Sequence, residues 1–221
     1  MRRLPQNSPL EPIVADFGKA LPLAFQEQFL HSDKMEYGMQ LRGVLHKIWF
    51  RPRALAPLFW FLGKCRILIP SAAQEAPTTL DVITSRDTSG LPVHTWSRTV
   101  AIRNRRIEFP TSIIYDAKLH RVVDLVGPCN VIYMVWRAAF HDDGSFTLDS
   151  EANAFRVGRL KLWLPRWLWP WLLGTVTFVQ KAHPDAPDTI SIDLLLTHPL
   201  FGKVFGYDGT FRAVRVPKAR I

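Results

Sequence analysis

Seven histidines, two cysteines and a few carboxylates in apolar surroundings are the side chains of this sequence with chemistry to offer. The histidines are His31, His46, His94, His120, His141, His183 and His198, and no HExxH, G-x-S-x-G or phosphate-binding loop accompanies any of them. His141-Asp142-Asp143 has the composition of a dyad beside a metal ligand. Gly144 follows it between two strand-like runs, however, and an Asp-Gly pair in that setting serves a hairpin turn. Cys65 and Cys129 belong to no CxxC pair or Cys/His cluster, which argues against zinc. Cys129 also has no basic neighbour to depress its pKa for nucleophilic work. The expectation is therefore no catalytic residue, no metal and no cofactor, unless distant residues assemble a site.

Arg98 stands apart. In the run Val93–Ile102 it shares the heavier face with His94, Trp96, Val100 and Ile102. A guanidinium on an apolar face either packs its stem and reaches water at a rim, or is buried and needs a carboxylate. Glu108, Asp193 and Glu151 are the protein partners considered, and the head group of a bound acid is another. In Val131–His141, Ile132, Met134, Trp136, Ala138 and Phe140 alternate with Val131, Tyr133, Val135, Arg137 and Ala139. Both faces are apolar in the first half and both must be covered. Trp96, Arg98, Tyr133, Val135 and Arg137 are thus the expected lining of a site for a lipid or other apolar small molecule.

The stretch Arg159–Leu173 carries Trp163, Trp167, Trp169 and Trp171 with Arg159, Lys161 and Arg166. It reads either as a strand end and helical turn folded over a barrel mouth, or as an interfacial anchor. On the second reading Trp167, Trp169, Trp171 and Arg166 touch an acidic membrane surface. Aromatic residues among basic ones also stack nucleobases, but no RNA-binding signature is present and the leucine content suits lipid better.

These residues need elements to hold them. Fourteen Phe and eight Trp in 221 residues favour pleated, half-buried surfaces. Period-two runs begin at Tyr37–His46 and continue from Thr78 to Val214 with short turns between them, the pattern of antiparallel pairing. Helical segments are expected from Leu21, with Phe25 and Phe29 on one face, and over Pro52–Leu62. Pro70–Pro77 and His183–Asp188 read as loops. The predicted fold is mainly β (α+β), a strongly bent or barrel-like antiparallel sheet of nine or ten strands behind two N-terminal helical segments. Residues 1–15 read as a poorly ordered arm, 16–216 as a single domain and 217–221 as a basic tail. A filled two-sheet sandwich gives the same alternation as a hollow barrel.

The net charge of +9 suits an anionic surface. The N-terminus lacks the apolar run of a secretory signal, and the greasiest runs, Ala54–Leu62 and Leu160–Leu173, are too short to span a bilayer. A cytoplasmic protein, peripheral to the membrane at most, is expected. Nucleic acid is not an expected partner.

Pro199, Leu200, Gly202, Tyr207 and Gly209 stand in the order P-L-x-G-x-x-x-x-Y-x-G. With Thr95, Trp96 and Arg98, then Phe109 and Ser112, the Val126–Gly127–Pro128 turn, and Leu164, Pro165, Leu168 and Pro170, they make the chain resemble domain-of-unknown-function family 4166 from about Leu21 to Val214. The resemblance implies a domain that often follows a saccharopine-dehydrogenase-like or membrane-spanning segment. This sequence has no glycine-rich dinucleotide fingerprint, so dehydrogenase activity does not carry over. Docking on a separate enzyme or membrane protein is one expectation. A cofactor-independent isomerase or cyclase using Arg98, Asp193 or Glu151 is another. Gly202, Gly206 and Gly209 are expected to serve backbone geometry, with Tyr207 buried and its hydroxyl paired.

Overall fold

The computed structural model describes residues 5–17, 21–51, 55–69, 71–127, 130–157, 160–165 and 167–217. Helices α1 (Glu11–Phe17) and α2 (Leu23–Phe29) precede β1 (Tyr37–Phe50), and α3 (Ala56–Lys64) follows it. A series of hairpins comes next: β2 (Ala73–Arg86), β3 (Pro92–Ile102), β4 (Arg105–Asp116), β5 (Arg121–Val126), β6 (Ile132–Phe140) and β7 (Ser145–Val157). Strand β8 (Leu160–Trp163) and helix α4 (Trp169–Leu173) lead to β9 (Thr175–His183), β10 (Ala186–His198) and β11 (Gly202–Pro217).

All pairings are antiparallel, in the order β6-β5-β4-β3-β2-β1-β11-β10-β9-β7, and β7 returns to β6. Ten strands therefore close into a barrel, which leaves no long edge unpaired, and β8 hangs on the end of β7 as an eleventh. The chain is mainly β, as its alternation and aromatic content indicate. Tight coiling brings strands unusually close at some points. A Cβ on Gly43 would meet the Thr210 backbone oxygen at 1.9 Å, so only glycine lets β1 and β11 pair there.

Several boundaries differ from the sequence reading. The arm at residues 1–15 includes the start of α1, and Ser8 and Leu10 within it are buried. Pro70–Pro77 is a strand from Ala73 onward. Pro77 pairs with Val44 before β3 has joined β2, so it occupies a locally open edge, where proline is tolerated. The loop expected over His183–Asp188 shortens, because β9 runs to His183 and β10 starts at Ala186. Residues 218–221 of the expected tail lie outside the described residues.

The two ends of the barrel are unlike. At the lower end α2 plugs the opening: Phe29 lies 4.7 Å from Phe146 and 6.1 Å from Phe140, and Phe17 of α1 lies 4.6 Å from Phe140. Gln180 Nε2 donates to Gln28 Oε1 of α2 at 3.2 Å inside this plug. Strand alternation puts α3, α4 and the β3–β4 and β10–β11 turns on the opposite, upper rim.

Candidate functional site

The barrel is hollow under its upper rim. A cavity of about 160 Å³ is walled by Ile132, Met134, Trp136, Leu194 and Leu196, with Leu62 and Ile67–Ile69 below α3 and Leu173 of α4 as its roof. A pocket of about 30 Å³ adjoins it toward Trp96 and Gln180, and Arg98, Phe109 and Tyr207 border both spaces. The pairing of β7 with β6 replaces the sandwich alternative with a barrel, and both spaces lie within it.

Polar groups from three neighbouring strands converge in that apolar space. The Arg98 guanidinium of β3 lies over the Trp96 and Phe109 rings, 5.5 and 5.4 Å from their centroids, a favourable cation–aromatic setting. One of its terminal nitrogens donates to Thr111 Oγ1 of β4 at 3.1 Å, and the Thr111 hydroxyl hydrogen-bonds Asp124 of β5. Asp124 is buried, and its Oδ1 has no hydrogen-bond partner among the described residues. Burial pushes the Asp124 pKa up to about 6, while the Arg98 charge and the Thr111 hydrogen bond restrain it. Tyr207 of β11 is buried, its pKa raised by that burial, and its hydroxyl makes no hydrogen bond among the described residues. The expected pairing of this hydroxyl is thus corrected: it borders the cavity instead.

The carboxylate that faces Arg98 is one sequence reasoning missed. Glu108 and Asp193 are exposed on the outside of the barrel, and Glu151 pairs with Arg121 at 3.1 Å. The enzyme reading that relied on Asp193 or Glu151 inside the cavity falls with them, because the pleat turns those side chains away from Arg98. The signal for Asp124 was its place in Val122-Val123-Asp124-Leu125-Val126, where it shares a face with Val122 and Val126.

The five expected lining residues divide. Arg98 borders the cavity and the adjoining pocket, and Trp96 lines that adjoining pocket. Tyr133 and Val135 point outward into a second apolar cluster with Val123, Leu125 and Ala154. β8 covers that cluster: the Trp163 ring meets Tyr133 edge-on at 5.6 Å, and Lys161 Nζ sits 3.8 Å from the Tyr133 ring centroid. The Tyr133 hydroxyl donates to Asp116. Arg137 is exposed and lies 3.6 Å from Asp149. The second apolar face of β6 therefore reflects this cover, and its inward face (Ile132, Met134, Trp136) is the one that lines the cavity.

The tryptophan block divides as well. Trp167 and Trp171 are exposed at 70% and 50%, whereas Trp169 is buried at 4%, correcting its expected exposure. Its burial follows from the turn that begins at Pro165, whose carbonyl accepts from the Leu168 and Trp169 N–H groups at 2.9 and 3.1 Å and rolls Trp169 inward. Lys161 is engaged with Asp116 at 3.2 Å on the outer wall. Arg159 and Arg166 lie outside the described residues. Further large apolar side chains are exposed on the same rim: Leu58, Trp60 and Phe61 on α3, Leu172 on α4, and Leu200 and Phe201 in the β10–β11 turn. His198 Nε2 donates to the Trp171 carbonyl at 2.8 Å and ties α4 to that turn.

The remaining candidates serve structure. Asp143 accepts from the Ser145 backbone and hydroxyl and pairs with Lys181 at 3.1 Å, interactions that hold its carboxyl well below the usual range. Cys129 lies outside the described residues. His94 is buried at the lower end, its Nε2 donating to the His31 carbonyl at 2.9 Å, and burial lowers its pKa to about 4.

Among curated proteins, the chain is 26% identical over 117 residues to the uncharacterized protein YndH of Bacillus subtilis (strain 168), covering 53% of this chain. The chain spans about half (55%) of that relative's length. Among solved structures, a candidate thioesterase II from Thermobifida fusca YX aligns at 10% identity over 97% of this chain and 89% of its own, with a TM-score of 0.23, a likeness too slight to bear on activity. The family model described as Domain of unknown function (DUF4166) matches residues 21–211, which takes in the Trp96–Arg98 strand, Asp124 and the closing Pro199–Gly209 motif, and the chain belongs to that family.

Proposed function

We propose that this barrel binds a small apolar molecule bearing a neutral hydroxyl or carbonyl group, such as the head of a lipid, and exchanges it at a membrane surface. The observation that carries the reading is Asp124, buried with a free carboxyl oxygen beside Arg98, Thr111 and Tyr207 at the wall of an apolar cavity. A buried polar group left unpaired costs about 1–3 kcal/mol, which a ligand hydroxyl would recover. Arg98 already faces Asp124, so a ligand carboxylate would compete with a carboxyl the protein supplies. This favours a neutral head over the acid considered from sequence. A 150 Å³ apolar cavity holds about one benzene ring, so the 160 Å³ here takes a ring or short chain segment. A longer tail would emerge between α3 and α4.

Exchange at a membrane rests on the exposed apolar side chains around the same rim, since soluble surfaces rarely cluster such residues without a partner. Half-burying Trp60, Trp167 and Trp171, on the order of 100 Å² each, gains roughly 7 kcal/mol before association costs. No helix among the described residues is long and apolar enough to cross a bilayer, and the attachment proposed here is peripheral.

Native mass spectrometry of protein purified without detergent, before and after organic extraction, tests the interior site. A small-molecule adduct that extraction removes, and that Asp124→Asn and Val176→Trp each reduce, is the expected result. Absence of any adduct, together with no thermal shift from added medium-chain alcohols or ketones, would sink it.

A second reading is a cofactor-independent enzyme in the same cavity, because a carboxyl with a pKa of about 6 exchanges protons near neutral pH. Chemical alteration of a bound alcohol or ketone by wild type, abolished in Asp124→Asn with binding retained, would favour it over simple carriage.

A further inference from the structure

The upper rim carries a charge feature that the tryptophan block does not explain. The β3–β4 turn is a two-residue hairpin in which Arg103 and Asn104 both have positive φ, 47° and 63°. It projects Arg103, Arg105 and Arg106 toward the end of α3. Lys64 and Arg66 line the other side of a groove of about 860 Å³, and Trp60 borders it. Glu108 is the single carboxylate along this groove among the described residues.

The five cations are exposed, and none is in an ion pair among the described residues. Elsewhere, on the barrel wall and the closed end, seven lysine or arginine side chains are matched to carboxylates. Clustered like charges repel one another unless an outside anion meets them. Lys64 Nζ lies 5.6 Å from the Trp60 ring centroid, so one cation and one exposed indole are presented side by side.

We propose that this groove binds the phosphate groups of an acidic lipid bilayer and so orients the upper rim, with its cavity roof, against the membrane. The proposal rests on the membrane-exchange reading above and gives that surface its charge chemistry. Guanidinium groups pair phosphate oxygens through a planar fork, which suits a groove with four arginines and one lysine. Trp60 and Phe61, exposed at 59% and 57%, would enter the interfacial layer beside the bound head groups. Single-stranded nucleic acid also presents phosphates. It would ask for a track of stacking rings along the cations, whereas Trp60 is the one aromatic residue bordering the groove among the described residues.

The test is co-sedimentation of the full chain with vesicles of phosphatidylcholine alone or mixed with phosphatidylserine, at low and high salt. The variants are Arg103→Asn/Arg105→Gln/Arg106→Gln and, on the other wall, Lys64→Gln/Arg66→Gln. Wild type should bind only the mixed vesicles, more weakly at high salt. Each cation removed should weaken binding about fivefold, on the order of 100-fold for the triple variant, with unchanged melting temperature. The triple variant should keep the interior adduct in native mass spectrometry. Wild-type affinity in both folded variants, salt-insensitive binding, or displacement of the vesicles by single-stranded RNA would each overturn the proposal. Absence of any adduct from wild-type protein that still binds the mixed vesicles in a salt-sensitive way would instead overturn the interior-site reading and leave the groove proposal standing.

Discussion

Asp124 and His94 are both buried ionisable groups, and they respond to pH in opposite directions. The folded-state pKa of Asp124, about 6, lies above the ordinary 3.8, so the native state holds this proton more tightly than the unfolded chain. Its effect on stability worsens as pH rises from about 4 to 6, and the penalty is full above that window. Asp124→Asn should therefore raise the melting temperature at pH 7.5, by about 3 kcal/mol of stability, and change little at pH 4. His94 has a folded pKa of about 4, below its ordinary 6.5, so its contribution is intact above pH 6.5 and is lost as pH falls toward 4. His94→Gln should flatten the acid side of the stability profile even if it lowers the plateau. Thermal melts across pH 4–8 check both, and an Asp124→Asn shift that is the same at pH 4 and pH 7.5 would contradict the buried, partly unpaired carboxyl.

At the scale of elements, close strand contact explains why certain glycines are needed. A Cβ on Gly209 would approach the Val44 backbone oxygen at 2.5 Å, and one on Gly206 the Leu194 backbone oxygen and the Trp49 ring at 2.8 Å. Gly202 has open space around it and a φ of +65°, the requirement of a turn. Gly43→Ala and Gly209→Ala should each cost about 3 kcal/mol or prevent folding, because neither neighbour is a side chain that can move aside. Gly202→Ala should cost about 1–2 kcal/mol, the ordinary penalty of a left-handed backbone. Denaturant titration ranks them, and equal effects at the three positions would refute the distinction. The hairpins were legible from their turns and alternation. β5 was not, since Val123 and Leu125 are buried outside while Val122 and Val126 are buried inside, and no period of two survives. β8 was legible only as one of two readings, the strand end before the tryptophan turn, because all four of its residues are exposed and no buried face marks it.

For the whole molecule, the contrast between a plugged lower end and an apolar, basic upper rim gives the proposed membrane attachment its direction. Trp167→Ala/Trp171→Ala should reduce vesicle binding at least tenfold while leaving the melting temperature within about 2 °C, since both indoles are largely exposed. Trp169→Ala, by contrast, should lower stability by about 3–5 kcal/mol, as expected for deleting a buried indole. A double variant that melts like Trp169→Ala would mean the exposed indoles are structural and that the rim's partner is elsewhere.

What the sequence by itself determined was local: strand periodicity, hairpin turns, helical faces at Phe25 and Phe29, and a guanidinium on an apolar face at Arg98. These follow from backbone geometry and side-chain type within a dozen residues. Register and closure of the sheet decided the rest. The register of β3, β4 and β5 sets Asp124, and not Glu108, Asp193 or Glu151, near Arg98, and closure carries Tyr207 of β11 around to the same space. The same closure sends Tyr133 and Val135 outward beneath β8, whereas the turn at Pro165 buries Trp169 and leaves Trp167 and Trp171 exposed. Alternation along a strand says which side chains share a face, but which face becomes the interior depends on strand pairings up to 180 residues apart, such as Tyr37 with Pro217, and no local pattern encodes those.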